Sequence, residues 1–258
     1  MRFIGRLQAT LCLALFAFAG ISSAEEFNEP TDNVSKPSPT TAVQVTGTEG
    51  ATLTAINGTI APDSGEGSSN KDADLYRIFI SDPAAFSATT VGGATFDTQL
   101  WLFTEDGTGL FMNDDAGAQG GVGKGNNTLL QSTLPVGLLA GFEAGCYLLG
   151  ISGFNFDASD GSGPIFSNAK GPEPFTDVFM PKQNAHSLET WIGAEGNSST
   201  NPRFGDYTIF LTGATIGDCE EVPPPPPPPV EVIPEPASMA LFGIGLGLAA
   251  LRRRRQTA

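Results

Sequence analysis

The sequence predicts an all-β fold: a jelly-roll-like β-sandwich ectodomain, preceded by an N-terminal signal peptide and followed by a short C-terminal transmembrane helix. Glycine and proline are abundant, with 32 and 20 copies in 258 residues, which is typical of turn-rich chains. Short apolar runs alternate with turn residues along the middle of the chain. No helical period of useful length appears outside the two ends, and a hydrophobic content of 40% argues against disorder of the whole chain.

Residues 1–24 have the three parts of a secretory signal peptide. Arg2 and Arg6 form a positive start, and an apolar run follows over 11–21. Ser22 and Ala24 then place small residues where signal peptidase cuts, so we expect cleavage after Ala24. A membrane anchor is the alternative, but the run is too short to span a bilayer. The sequence therefore predicts export across the inner membrane.

The middle of the chain, residues 51–218, is predicted to form one sandwich. Residues 25–50 are polar and are expected to form an irregular opening segment. Eight strand-like runs follow: 52–60, 75–81, 85–91, 98–104, 109–113, 128–134, 146–152 and 207–213. Three of them alternate as half-buried strands should, with inward faces of Tyr76, Ile78 and Ile80, of Tyr147, Leu149 and Ile151, and of Tyr207, Ile209 and Leu211.

Residues 154–202 differ from the rest of the ectodomain in being rich in Gly, Pro, Asn and Ser, with scattered aromatics. A loop of this length in a compact domain is usually functional or disordered. We predict a long excursion between the last two core strands. Trp191 in this excursion is the candidate for stacking on a sugar, with packing in the core as its alternative. Trp101 is expected to pack, and His186 to be an exposed loop residue.

Two cysteines, Cys146 and Cys219, remain after signal cleavage. In an oxidising compartment an even pair favours a disulfide. The bridge would close a long loop, which contributes ~4 kcal/mol in the chain-entropy model. Two free buried thiols are the alternative.

The C-terminal end combines a spacer, an apolar run and a basic cluster. Residues 219–233 form a proline-rich spacer, in which the prolines of 223–229 predict a stiff, extended chain. Residues 234–258 begin with Pro-Glu-Pro, continue as an apolar run over 237–251 and end with four arginines and a short tail. The run would be ~22 Å long as a helix, which is marginal against a hydrocarbon core of ~30 Å. The arginines predict a cytoplasmic tail.

This order and spacing resemble the PEP-CTERM sorting signal of Gram-negative bacteria. The matching residues are Pro234, Glu235 and Pro236, and the cluster Arg252, Arg253, Arg254 and Arg255. The resemblance implies recognition by an exosortase, a membrane cysteine protease-transpeptidase that cuts near the Pro-Glu-Pro motif. The ectodomain would pass from a transient inner-membrane anchor to the envelope, the cell surface or the extracellular matrix. A plain single-pass anchor with a proline-rich stalk is the alternative.

Six short motifs follow one another along the ectodomain. They are NEPTD at 28–32, DADLYRI at 72–78, FDTQLWLF at 96–103, NDD at 113–115, GCYL at 145–148 and GDYTI at 205–209. Together they resemble the bacterial pre-peptidase C-terminal (PPC) domain, which implies a β-sandwich from about residue 28 to 213. The excursion over 154–202 and Thr31, where the family often has Asn, depart from that pattern.

The PPC resemblance also implies a calcium site, since some relatives bind calcium with acidic residues of the opening segment and the first strand. The matching positions are Glu29, Asp32, Asp72 and Asp74, and calcium takes six to eight hard oxygen ligands. The alternative is that Asp72 and Asp74 end a turn and face water. For a second group, Asp106 with Asn113, Asp114 and Asp115, a turn role is favoured and calcium binding is the alternative. Calcium is the sole cofactor that we consider.

The net charge and the motifs of the sequence argue against two classes of function, nucleic-acid binding and catalysis. A formal net charge of −15 argues against a nucleic-acid partner. No nucleophile elbow or zinc-protease motif is present, so we predict that the protein is not an enzyme. The expected function is an exported, exosortase-sorted structural or adhesive component of the envelope or biofilm matrix, with exopolysaccharide or matrix proteins as partners. A calcium-dependent carbohydrate- or protein-binding module and a secreted hydrolase with an unrecognised site are the alternatives.

Overall fold

The computed structural model describes residues 23–30, 35–62, 71–116, 130–167, 177–193 and 203–219. These residues form fourteen β-strands and no helix, which confirms the predicted all-β class. The strands are β1 (Ala24–Asn28), β2 (Val43–Gln44), β3 (Thr52–Ile60), β4 (Ala73–Ile80), β5 (Ser87–Thr89), β6 (Thr98–Thr104), β7 (Gly109–Asn113), β8 (Thr133–Leu134), β9 (Gly145–Gly153), β10 (Phe156–Ser159), β11 (Val178–Phe179), β12 (Thr190–Gly193), β13 (Gly205–Thr212) and β14 (Ala214–Thr215).

Twelve of these strands belong to one sheet that curls back on itself. The hydrogen-bonded path runs β11-β7-β6-β9-β4-β14-β3-β13-β5-β8, while β1 and β2 add in parallel to β3 and β4. The backbone N–H of Thr133 in β8 donates to Oδ1 of Asn113 in β7 at 2.7 Å, so the two ends of the path meet. The ectodomain is therefore a nearly closed, barrel-like sandwich, in which one hydrogen-bonded path of strands forms both faces.

The first core fills the interior of the curled sheet. Successive side chains of a strand point to opposite faces, so β4, β9 and β13 each turn alternate residues inward. The nine side chains predicted for these faces are all buried in this core: Tyr76, Ile78, Ile80, Tyr147, Leu149, Ile151, Tyr207, Ile209 and Leu211. The three predicted inward faces are confirmed.

A second core covers the outer face of β4, β6 and β9. Leu75, Trp101 and Leu148 point away from the first core and pack with Phe156 and Trp191 of the excursion. β10 and β12 pair there as a small antiparallel sheet. Where it is described, the predicted excursion is therefore a structural layer, because its apolar side chains shield a sheet face that would otherwise meet water.

The opening segment, expected to be irregular over 25–50, contributes two strands. β1 pairs with β3 and β2 with β4, both in parallel. Phe27 is the single buried residue of β1, and both residues of β2 are half-buried. Backbone pairing rather than apolar alternation places these strands in the sheet, and for that reason the sequence pattern did not predict them.

Cys146 and Cys219 form a disulfide, with Cα atoms 5.7 Å apart. Cys146 lies in β9, which sits between β4 and β6 within the sheet. Cys219 is the first residue of the predicted spacer and the last residue of the chain that the structure describes. The predicted bridge is confirmed, and the alternative of two free thiols is wrong.

Residues 1–22 of the predicted signal peptide and residues 220–258 lie outside the described residues, whereas Ala24, the last residue of the predicted signal peptide, begins β1. Within the described ranges, no helix has the length and apolar character needed to cross a membrane. The fold of the signal peptide, the proline-rich spacer and the C-terminal apolar run therefore remains a prediction from sequence.

Candidate functional site

Two of the carboxylates predicted to bind calcium are buried at the start of β4. Asp72 directly precedes this strand, Asp74 is its second residue, and each is only 3% exposed. Oδ2 of Asp72 accepts a hydrogen bond from the backbone N–H of Ala61 at 2.6 Å. Oδ2 of Asp74 accepts one from the Tyr207 hydroxyl at 2.6 Å. The alternative prediction, that both side chains face water, is wrong because both are buried and bonded.

Glu29 lies close to the same tyrosine. Its Oε2 accepts a hydrogen bond from the backbone N–H of Thr59 at 3.1 Å. The hydroxyls of Tyr76 and Tyr207 are hydrogen-bonded to each other. Burial raises the pKa of both phenols, and the charges of Asp74 and Glu29 raise it further. Both tyrosines therefore stay neutral donors beside these carboxylates.

We call Glu29, Asp72 and Asp74 the opening carboxylates. The structure brings Glu29 and Asp74 together around the two phenols, while Asp72 caps the end of β3 through Ala61. Asp32, the fourth predicted ligand, lies outside the described residues. A calcium site on this set stays a prediction.

The second predicted group, Asp106 with Asn113, Asp114 and Asp115, divides into two parts in the structure. Asp106 is exposed in the β6–β7 hairpin, where it accepts hydrogen bonds from the Thr104 hydroxyl and from the backbone N–H of Thr108. Asn113 donates from Nδ2 to the carbonyl of Asp115 at 3.0 Å. These two residues have the turn and end-of-strand roles predicted for them.

Asp114 and Asp115 take part in a different arrangement, which also includes Asp97. One carboxylate oxygen from each of the three lies within 4.8 Å of the others, and we call this group the acidic pocket. Asp97 directly precedes β6, and Asp114 and Asp115 directly follow β7. Because β6 and β7 are antiparallel neighbours, the start of one strand lies beside the end of the other.

The acidic pocket is buried and carries excess negative charge. Asp97 and Asp114 are each 2% exposed. Burial, followed by the charges of Asp97, Asp115 and Asp157, holds the pKa of Asp114 well above its usual range. Burial also raises the pKa of Asp115 to about 6. Each carboxylate therefore opposes the ionisation of its neighbours.

Arg203 supplies a positive charge at one side of the acidic pocket. Its Nη1 lies 2.6 Å from Oδ2 of Asp97, and its guanidinium stacks over the ring of Phe154 at 4.2 Å from the centroid. This charge lowers the pKa of both Asp114 and Asp115, but burial outweighs it for Asp115, and burial together with the neighbouring carboxylates outweighs it for Asp114.

Several oxygens at and beside the acidic pocket have no hydrogen-bond donor. Among the described residues, none donates to Oδ1 of Asp114, Oδ1 of Asp115 or Oε1 of Gln131, although these atoms are buried. The chain at Gln131 runs alongside the pocket, since the backbone N–H of Ala116 donates to the carbonyl of Gln131 at 2.6 Å. Buried polar atoms are normally paired, so these oxygens need an explanation.

Sequence reasoning missed Asp97, Gln131 and Arg203 as parts of this arrangement. Both halves of the hairpin are predicted as strands, and pairing them in the observed register places Asp97 just beyond the end of the Asn113–Asp115 run. The positions of Gln131 and Arg203 depend on long-range contacts, which leave no local signal in the sequence.

Trp191 is a core residue. It is 0% exposed, its ring stacks on Phe156 and meets the edge of Trp101, and its Nε1 donates to the carbonyl of Pro37 at 2.8 Å. A buried indole offers no face to a sugar, so the predicted stacking role is wrong. Trp101 packs, as expected, and His186 is exposed.

Residues 232–255 match the family described as the PEP-CTERM protein-sorting motif. The match contains the Pro-Glu-Pro triplet and all four arginines that carry the resemblance. The motif marks an exported protein that an exosortase processes, with a membrane-anchored C-terminus before processing. No curated protein matches the chain. Because the family match lies outside 28–213, the resemblance of the ectodomain to the PPC domain stays a prediction.

Proposed function

We propose that the ectodomain is a non-enzymatic structural or adhesive component of the bacterial envelope or its exopolysaccharide matrix. The observation that carries this proposal is the sorting motif at 232–255, which directs the chain to exosortase processing. A protein delivered to the envelope in this way, with a proline-rich segment between its folded domain and its sorting motif in the sequence, is suited to display on a surface.

The disulfide supports a load-bearing role. The predicted proline-rich spacer begins at Cys219, and Cys219 is covalently joined to β9, which lies between β4 and β6 in the sheet. A force applied through the spacer would therefore act on a central strand rather than peel the short terminal strand β14 from the sheet. This is the arrangement expected of a domain that stays folded while tethered.

The test is genetic complementation in a bacterium that makes the protein. Cells lacking the protein receive the full chain or a chain that ends at residue 231. The full chain should return to the matrix fraction and restore surface-attached biomass, whereas the truncated chain should escape into the medium. Equal restoration by both chains, or no change in the matrix when the protein is removed, would overturn the proposal.

A hydrolase would give a different result. The purified oxidised protein should release no reducing sugar or peptide from matrix isolated from the deletion strain. Turnover that is lost on substituting one carboxylate would replace the structural role with an enzymatic one.

A further inference from the structure

We propose that the acidic pocket, Asp97, Asp114 and Asp115, binds a calcium ion. This site differs from the set implied by the PPC resemblance, which uses Glu29, Asp32, Asp72 and Asp74. It also does not depend on the proposed function, since it rests on the described ectodomain alone.

The geometry of the acidic pocket suits one ion held between three carboxylates. Calcium binds oxygen at ~2.3–2.6 Å, so two ligands on opposite sides of the ion lie at most ~5 Å apart. The three carboxylate oxygens fall within 4.8 Å of one another. The three residues flank the two strands at the open end of the hairpin, so the ion would join the start of β6 to the end of β7.

The unpaired oxygens are an independent indication of a ligand. Asp114 is 2% exposed, and no described residue donates to its Oδ1. Gln131 is also 2% exposed; its Nε2 donates to the carbonyl of Ala94 at 2.6 Å, and its buried Oε1 has no described donor. An ordinary buried carboxylate or amide would have found donors, because leaving such an oxygen unpaired is costly.

Charge points the same way. The carboxylates that act on Asp114 are Asp97, Asp115 and Asp157, and the guanidinium that acts on it is Arg203. Three carboxylates and one guanidinium thus act on the buried Asp114, and buried charge is strongly unfavourable unless it is paired. Either protons or a cation must compensate. A divalent cation would neutralise the excess and at the same time occupy the unpaired oxygens.

The donor chemistry favours calcium. The three ligands are carboxylates, and Gln131 places an amide oxygen on the adjoining chain segment. Hard oxygen ligands suit calcium and magnesium rather than the softer metals. Calcium accepts six to eight ligands in flexible geometry, whereas magnesium needs near-ideal octahedral geometry at ~2.0–2.1 Å. A site assembled from a hairpin end and a neighbouring segment fits the more tolerant ion.

The test is a thermal melt of the full-length, oxidised protein in detergent, with calcium chloride, with magnesium chloride or with chelator. Calcium at 100 times its dissociation constant should raise the Tm by about 5–10 °C for a domain of this size. Asp114→Asn and Asp97→Asn should each remove most of that shift. Asp106→Asn changes a carboxylate on the same hairpin outside the pocket and should keep the shift in full.

Calcium titration calorimetry below the melting temperature, with circular dichroism to verify the fold, covers the case in which a variant melts early. Folded Asp114→Asn that binds no calcium supports the site. An unchanged calcium shift in Asp114→Asn and Asp97→Asn overturns it, as does the absence of any shift in the wild type. An equal shift with magnesium overturns the assignment to calcium.

Discussion

The opening carboxylates and the acidic pocket contain the same kind of residue at comparable burial, yet their oxygens are used differently. Around Asp72 and Asp74, donors are at hand: a backbone N–H at the end of β3 and the phenol of Tyr207. In the acidic pocket, Asp114 and Asp115 each keep an oxygen that no described residue donates to. The contrast is clearest between Asp74, whose carboxylate accepts the bond of a buried phenol, and Asp114, whose buried Oδ1 receives no hydrogen bond from a described residue.

The difference has a local cause. The opening carboxylates lie where two buried tyrosines and strand ends supply hydroxyl and N–H groups. The acidic pocket lies at the open end of a hairpin, where carboxylate oxygens of Asp97, Asp114 and Asp115 lie close together and Arg203 forms an ion pair with Asp97. Substitutions in the two groups should therefore respond differently to calcium.

The largest effect is expected for Arg203→Gln, which removes the guanidinium from Asp97. Breaking a largely buried ion pair leaves a charge uncompensated, and we expect a loss of about 3 kcal/mol in the free energy of unfolding measured by urea in chelator. Calcium should restore part of this loss, because the ion supplies positive charge to the same carboxylates. A loss below ~0.5 kcal/mol would show that the pair is effectively solvated.

Asp74→Ala should have the next largest effect. It removes the acceptor of the Tyr207 hydroxyl inside the first core, which should lower the free energy of unfolding by about 2 kcal/mol. Urea denaturation should give the same loss in calcium and in chelator. Asp74→Asn is the matched control, since its amide oxygen can still accept the bond and should preserve more of the stability. If Asp74→Ala lost stability only in calcium, the opening carboxylates would bind the ion. The two groups of carboxylates would then not differ in the way described.

Unlike the two substitutions above, Asp114→Asn should stabilise the protein in the absence of metal. Removing one buried, unpaired charge from among its like-charged neighbours should raise the free energy of unfolding in chelator by about 1 kcal/mol. In saturating calcium the wild type should be the more stable of the two. The measurement is the same pair of urea curves. A destabilised variant in chelator would mean that the Asp114 carboxylate already has a partner in the metal-free protein.

The smallest effect is expected for Asp106→Asn. The residue is exposed, and asparagine can accept the same turn hydrogen bonds from Thr104 and Thr108. Urea denaturation should detect a change within ~0.5 kcal/mol, with or without calcium. A larger, calcium-dependent change would extend the binding site along the hairpin.

The strands of the first core could be predicted because their signal is local. Tyr76, Ile78 and Ile80 alternate with outward residues, and so do Tyr147, Leu149 and Ile151, which fixes one face of each strand. The second core could not be predicted in the same way. Trp101 meets Trp191 across a long stretch of chain, and the outer face of a strand reveals its burial only when the covering segment is known.

The candidate site shows the same limit. Asn113, Asp114 and Asp115 were recognised as an acidic group from neighbouring positions in the sequence. Asp97 belongs with them because β6 and β7 pair, and Gln131 and Arg203 approach through contacts that no short pattern records. The turn role predicted for Asp106 fits the structure, whereas Asn113 is a buried residue at the end of β7, and Asp114 and Asp115 differ by burial, which composition does not reveal.

The most direct test is isothermal titration of calcium into the full-length, oxidised protein in detergent, alongside Asp114→Asn and Asp74→Asn. The account predicts one site in the wild type and in Asp74→Asn, and no binding in folded Asp114→Asn. Binding that survives Asp114→Asn and disappears in Asp74→Asn would contradict it and move the ion to the opening carboxylates.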